Sequence, residues 1–245
     1  MGRVKANGQF EIADVNRLSA GGQLPESNFQ MQGNLDLARL MRMLPATFHT
    51  HQDLQLQSGV ANFQIGSQQR QLLMNVDMAN LKARRGGQEI VWQEPINLST
   101  VLASDQTGLA LKNVQCQTDF LTIVGNANMF EGVFDFKGDL DLLTKRVGQF
   151  VDLQQMAFGG NLNGKFGWQL RGNPNGNNAL GAIHDRPIDM IGSFVVANPR
   201  VAMPGLPDWK QNRATIQLEA VFNALSSGQF RVCLLYTSPS PRDRG

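Results

Sequence analysis

The chain has 245 residues, 42% of them hydrophobic and 17% charged, with a formal net charge of +2. That length supports a substantial core, the apolar share excludes wholesale disorder, and so small a net charge argues against a nucleic-acid or polyanion partner. No run of about 18 apolar residues occurs, so no transmembrane helix is expected, and residues 1–12 lack the apolar stretch of a signal peptide.

Residues 4–12 already read as strand, with Phe10 and Ile12 alternating, so the natural start is expected further upstream. A turn-rich link follows at residues 19–24. Then comes the phrase around which the chain is organised. Phe29, Met31, Leu35 and Leu37 alternate with Gln30, Gln32, Asn34 and Asp36. Much later Phe134, Phe136, Leu140 and Leu142 alternate with Asp135, Lys137, Asp139 and Asp141. A period of two puts each apolar set on one face of a strand and leaves the other face wet. Gly33 and Gly138 fall on the apolar face, where a bend or a close backbone approach is expected.

After each strand the period changes to that of a helix. Leu40, Met41 and Leu44 follow the first copy, and Leu143, Val147, Phe150 and Val151 the second. Two short amphipathic helices are expected, at residues 36–44 and 141–151. Asp36 and Asp141 stand as N-caps, and Pro45 stops the first helix.

Between the copies the chain reads as short strands separated by turns. Leu54, Leu56, Ala61, Phe63 and Ile65 form a hairpin about Ser58-Gly59, and Leu72, Met74, Val76 and Met78 alternate. Arg84-Arg85-Gly86-Gly87 is a basic turn, and strands flank Pro95. The spacing of Gly33 and Gly138 also pairs Asp14 with Asp119, Leu18 with Ile123, and Phe63-Gln64-Ile65 with Trp168-Gln169-Leu170. After an insertion at residues 172–178, Ala79-Asn80 matches Ala197-Asn198 and Trp92-Gln93-Glu94 matches Trp209-Lys210-Gln211. The expected fold is therefore all-β: a tandem-repeat antiparallel β-groove, a curved U-shaped sheet with two short helices. Its units are residues 1–125 and 126–232. Residues 233–243 resemble a translated sequencing adapter, so 233–245 are set apart as an artefactual tail and the natural chain is expected to continue past Val232. Of the two cysteines only Cys116 then remains, and no disulfide framework is expected.

Catalytic and metal signals are weak. Gly159-Gly160-Asn161-Leu162-Asn163-Gly164-Lys165 fits most of a phosphate loop, but Phe166 stands where Ser or Thr must hold magnesium, and a strand follows instead of a helix. His49 and His51 share one side of an extended segment with no third ligand nearby, since His184 lies in the other copy. Asp135, Asp139 and Asp141 lack the glutamate that completes a calcium loop. Arg84-Arg85 and Lys145-Arg146 read as solvated surface, and Trp92 and Trp168 as core or groove-lining rings. No catalytic residue, metal site or cofactor is assigned, nor is an oligomeric state.

The repeated phrase, Phe29-x-Met31-x-Gly33-x-Leu35-Asp36-Leu37 and Phe134-x-Phe136-x-Gly138-x-Leu140-Asp141-Leu142, resembles the repeating unit of AsmA-like and TamB-like envelope proteins. Trp92-Gln93-Glu94-Pro95 and residues 116–123 are similar to segments of long AsmA-like proteins. The resemblance implies a non-enzymatic periplasmic β-groove, held at the inner membrane by an N-terminal anchor missing from this sequence. Such a groove would bind or conduct phospholipid and support outer-membrane homeostasis. Phe29, Met31, Leu35, Phe134, Phe136 and Leu140 are the residues expected to line it. The alternative is a structural or adhesive β-repeat with a filled core and no ligand. An enzyme acting on an envelope polymer ranks below both.

Overall fold

A computed structural model describes residues 4–8, 29–43, 53–68, 70–105, 108–128, 130–171, 186–222 and 230–237; for 4–8, 41–43 and 230–237 it describes the backbone alone. The expected strand at residues 9–12, the link at 19–24, the three histidines and the insertion at 172–178 lie outside the described residues.

Among the described residues, fourteen strands form one antiparallel sheet. In the first half they are β1 (Val4–Gly8), β2 (Phe29–Asp36), β3 (Leu54–Gln68), β4 (Gln71–Arg85), β5 (Gln88–Trp92), β6 (Ile96–Asp105) and β7 (Gly108–Gln117). In the second they are β8 (Leu121–Asn128), β9 (Glu131–Asp139), β10 (Ala157–Leu170), β11 (Ile188–Ala202), β12 (Trp209–Lys210), β13 (Arg213–Phe222) and β14 (Phe230–Thr237). Helix α1 (Leu37–Met43) follows β2, and α2 (Leu140–Val147) follows β9. The main path runs from β1 to β14 in chain order, with β5 and β12 set aside as second partners of β4 and β11. The sheet is open, because β1 and β14 sit at opposite ends of that order. β14 runs through Cys233–Thr237, part of the adapter-like stretch.

The element order itself repeats. β1-β2-α1-β3-β4-β5-β6-β7 is followed by β8-β9-α2-β10-β11-β12-β13-β14. The joint in this order falls at residues 118–120, whereas residue 125 lies inside β8. The copies share a local device. β4 pairs with β6 as far as Met78 and with β5 from Leu81 onward. β11 pairs with β13 as far as Ala197 and with β12 from Arg200. At each change of partner stands an asparagine in the left-handed region, Asn80 at φ 54° and Asn198 at φ 49°. Asparagine tolerates that conformation better than other side chains, and the bulge turns the strand toward a new neighbour. The Ala-Asn match read from sequence is this device.

The upstream match does not survive strand pairing. Phe63 lies opposite Gly33, but Trp168 lies opposite Gly132, and it is Leu162 that faces Gly138. Two alternating strings match at any even shift, so sequence similarity there does not set the register.

Both helices form, with one cap corrected. The Asp36 carboxylate accepts from the Arg39 N–H at 3.1 Å, as an N-cap should. In the second copy the cap is Asp139, which accepts from the Leu142 N–H at 2.9 Å, and not Asp141. Asp141 is engaged elsewhere: it accepts from the Gly160 N–H at 2.9 Å and from Arg200 at 2.7 Å. The cap therefore lies two residues earlier than expected, and the helix ends at Val147, with a turn through residues 148–150.

Large side chains are not fully buried anywhere among the described residues; the buried apolar set is mostly alanine, with Trp92, Phe120, Leu170 and Val196. The tightest cluster sits where the two halves meet. The Trp92 ring lies 5.6 Å from Phe120 and 5.9 Å from Phe150. Arg146 of α2 bonds Asp119 at 2.8 Å, both half-buried or better. Lys145-Arg146 is thus not simply solvated surface: its arginine pins the helix to the turn before β8.

Candidate apolar face

Cross-strand partners in a sheet point to the same side, so the register traces a face residue by residue. Starting at Gly33 on β2, one row runs through Phe63, Val76, Leu98 and Cys116 to Ile123 on β8. It continues through Phe136, Gly164 and Phe194 to Ile216 on β13. A parallel row carries Met31, Ile65, Met74 and Thr100, and on the far half Gly125, Phe134, Phe166, Gly192 and Leu218. A third carries Leu35, Ala61, Met78 and Ile96, then Leu121, Gly138, Leu162, Val196 and Ala214. These three rows hold no Asp, Glu, Lys or Arg, and their only polar side chains are Thr100 and Cys116. On the opposite side of β2 and β9, Gln30, Gln32, Asp135, Lys137 and Asp139 are exposed.

Phe29, Met31, Leu35, Phe134 and Phe136 therefore share one face, as their alternation predicts. Leu140 does not join them in the sheet. It is the first residue of α2, because the strand gives way after Asp139. Reading the sequence missed Phe63, Val76, Phe166, Phe194 and Ile216. Each sits in an alternating string, but only pairing shows which parity of each string faces which side.

Aromatic rings tile the second half of the face. Phe134 stacks on Trp168 with centroids 5.6 Å apart and planes 16° from parallel. Phe136 meets Phe194 edge to face at 6.0 Å. The space a Cβ would need at Gly132 is filled by the Trp168 ring, and at Gly164 by the Phe194 ring. The rings lie down over glycines of the neighbouring strand. Trp92, by contrast, packs at the joint between units.

Among the described residues little covers these rows. α1 packs on β3, where Leu37 approaches the Gly59 position, and α2 packs on β10 and β9. Leu35 and Leu98 remain 42% and 41% exposed.

Cys116 is the one titratable side chain in the rows, and burial pushes its thiol above the ordinary range. Near α2, the Asp141 carboxyl is held below its ordinary value, first by the Gly160 N–H and then by Arg200. The phosphate-loop look-alike lies within β10, where Asn161–Gln169 is paired with β9 on one edge and Asn161–Leu170 with β11 on the other, so its amides form no cradle. Asp135 pairs with Lys165 at 3.4 Å and Arg85 with Asp53 at 3.4 Å. Among the described residues no three His, Cys, Asp or Glu side chains converge as metal ligands, and no helix is long and apolar enough to cross a membrane.

The fold and face define a class, an open all-antiparallel tandem-repeat sheet with one apolar side. No family model, no curated protein and no solved structure matches the chain.

Proposed function

We propose that this chain is a section of an AsmA-like or TamB-like envelope protein, and that its apolar face binds or conducts phospholipid acyl chains. The observation that carries the reading is the set of three uncharged rows, one crossing ten strands and the others nine of the same ten, with no second layer over them among the described residues. At about 4.8 Å between strands, such rows run on the order of 40 Å, enough for an extended acyl chain. An acyl chain laid there gains about 0.8 kcal/mol per methylene buried, so binding needs no specific polar contact. The chain acts without catalysis, in the periplasm, and the longer protein is anchored in the inner membrane and supports the outer one.

A second reading, a structural or adhesive repeat without ligand, draws on the ring contacts Phe134–Trp168 and Phe136–Phe194. One assay separates the two. Mass spectrometry of organic extracts from purified protein should find co-purifying phospholipid, and the protein should exchange labelled lipid. Lipid-free protein that exchanges none favours the structural repeat.

A further inference from the structure

We propose that the free edge of β5 receives an extended peptide segment of a partner protein, which pairs with it as an added strand. β5 is a short strand in mid-chain, reached from β4 through the two-residue turn Gly86-Gly87, both glycines at positive φ. Among the described residues it is paired along one edge only, with β4. A two-residue turn makes Arg85 and Gln88 a hydrogen-bonded pair, and such pairs alternate along an antiparallel ladder. Ala83↔Ile90 and Leu81↔Trp92 are therefore the next pairs to exchange bonds. Glu89 and Val91 fall between them, so their N–H and C=O groups point out of the free edge.

Helix α2 lies between two strand edges and covers only one. β10 begins at Ala157, but β9 pairs with it only from Asn161. The helix closes that gap with side chains. The Phe158 N–H donates to the Thr144 hydroxyl at 3.0 Å, and that hydroxyl donates to the Phe158 carbonyl at 2.8 Å. The Gly160 N–H donates to Asp141 at 2.9 Å. Toward β5 no such bond is made among the described residues. Instead a cleft of about 750 Å³ separates residues 88–91 from Thr144, Gly148 and Leu153. That volume is in the range of ligand sites, about 300–1,000 Å³. An open edge is a template for another strand, whose main chain supplies affinity and whose alternate side chains supply specificity.

The walls of the cleft state the partner's chemistry. Along β5, Ile90 points to one side and Glu89 to the other, so an added strand meets an apolar neighbour on one side and a carboxylate on the other. Leu153 and Met156 add apolar surface from the far wall. The charges around the cleft are Asp53, Glu89 and Asp152 against Arg85 and Lys145, one carboxylate in excess. Asp53 and Arg85 already pair at 3.4 Å. The fitting segment alternates apolar with basic residues. The site stands whether or not the apolar face carries lipid.

The test titrates the intact chain against a fluorescein-labelled peptide, Lys-Val-Lys-Val-Lys-Val-Lys, by anisotropy up to roughly 1 mM, the reach of weak binding. Binding should saturate. The same peptide methylated at every backbone nitrogen keeps its side chains and loses its donors, and it should bind at least about tenfold more weakly. Val91→Pro removes one outward N–H and leaves the bonds to β4, as an edge strand permits. It should weaken binding by about tenfold with unchanged circular dichroism; if it unfolds the chain, the methylated peptide decides. In the free chain the amides of Glu89 and Val91 should exchange far faster than that of Ile90, and the peptide should slow them. Absence of saturable binding overturns the proposal. So does binding that both the methylated peptide and Val91→Pro leave unaltered, since the peptide would then lie elsewhere. Glu89 and Val91 amides already protected in the free chain overturn it too, since another segment would then hold the edge.

Discussion

Phe136 on β9 and Phe194 on β11 meet edge to face, 6.0 Å apart, over Gly164 of the strand between them. The strand between contributes no side chain, so rings two strands apart can touch. Gly164→Ala would place a methyl group where the Phe194 ring lies. Overpacking of this kind costs about 1–3 kcal/mol. The substitution should lower the urea midpoint without changing the slope of the transition.

A second prediction concerns the joint. Trp92 is the largest buried side chain of the cluster with Phe120 and Phe150. Trp92→Ala should cost about 3–5 kcal/mol, in the range for removing a buried aromatic. Trp168→Ala should cost less, because its ring rests on the open face. Paired denaturant melts of the two variants check the order.

Asp141 makes stability pH-dependent in a defined direction. Its folded carboxyl is held below the ordinary value by the Gly160 N–H and then Arg200. The unfolded group titrates near about pH 4. The contribution is therefore complete above that value and is lost as pH falls toward the lower folded one. Wild type should lose melting temperature from pH 5 to pH 3 more steeply than Asp141→Asn, in which this carboxyl no longer titrates.

What was legible in the sequence follows from period. Alternation at Phe29, Met31, Phe134 and Phe136 identified the strand faces, because a period of two admits few other readings. The helices were legible from the switch to a period near 3.6. The second cap was not, because Asp139 and Asp141 are both suitable caps, and the choice depends on Gly160 and Arg200, 19 and 59 residues away. The match of Phe63 to Trp168 failed for the same reason that alternation is informative: it repeats every two residues and fixes no register. Asn80 and Asn198 were matched correctly, but nothing local revealed that each marks a change of strand partner.

Cys116 reports on the face directly. It lies in the row between Leu98 and Ile123, and burial raises its thiol above the ordinary range. The thiolate is the reactive form, so alkylation near neutral pH should be slow. In a Cys233→Ser background, preloading with phospholipid should slow it further. An unchanged rate would place lipid away from this row.

The most direct measurement is transfer of labelled phospholipid between vesicles by wild type, Phe136→Asp and Lys137→Asp, each with its thermal melt. Residue 136 faces the apolar side and residue 137 the exposed side. A carboxylate on the apolar face must be desolvated by a passing acyl chain, which opposes binding. Phe136→Asp should abolish transfer while the melting transition largely persists, and Lys137→Asp should change neither. Transfer by Phe136→Asp at the wild-type rate, or its outright unfolding as expected of a packed core, would contradict the account.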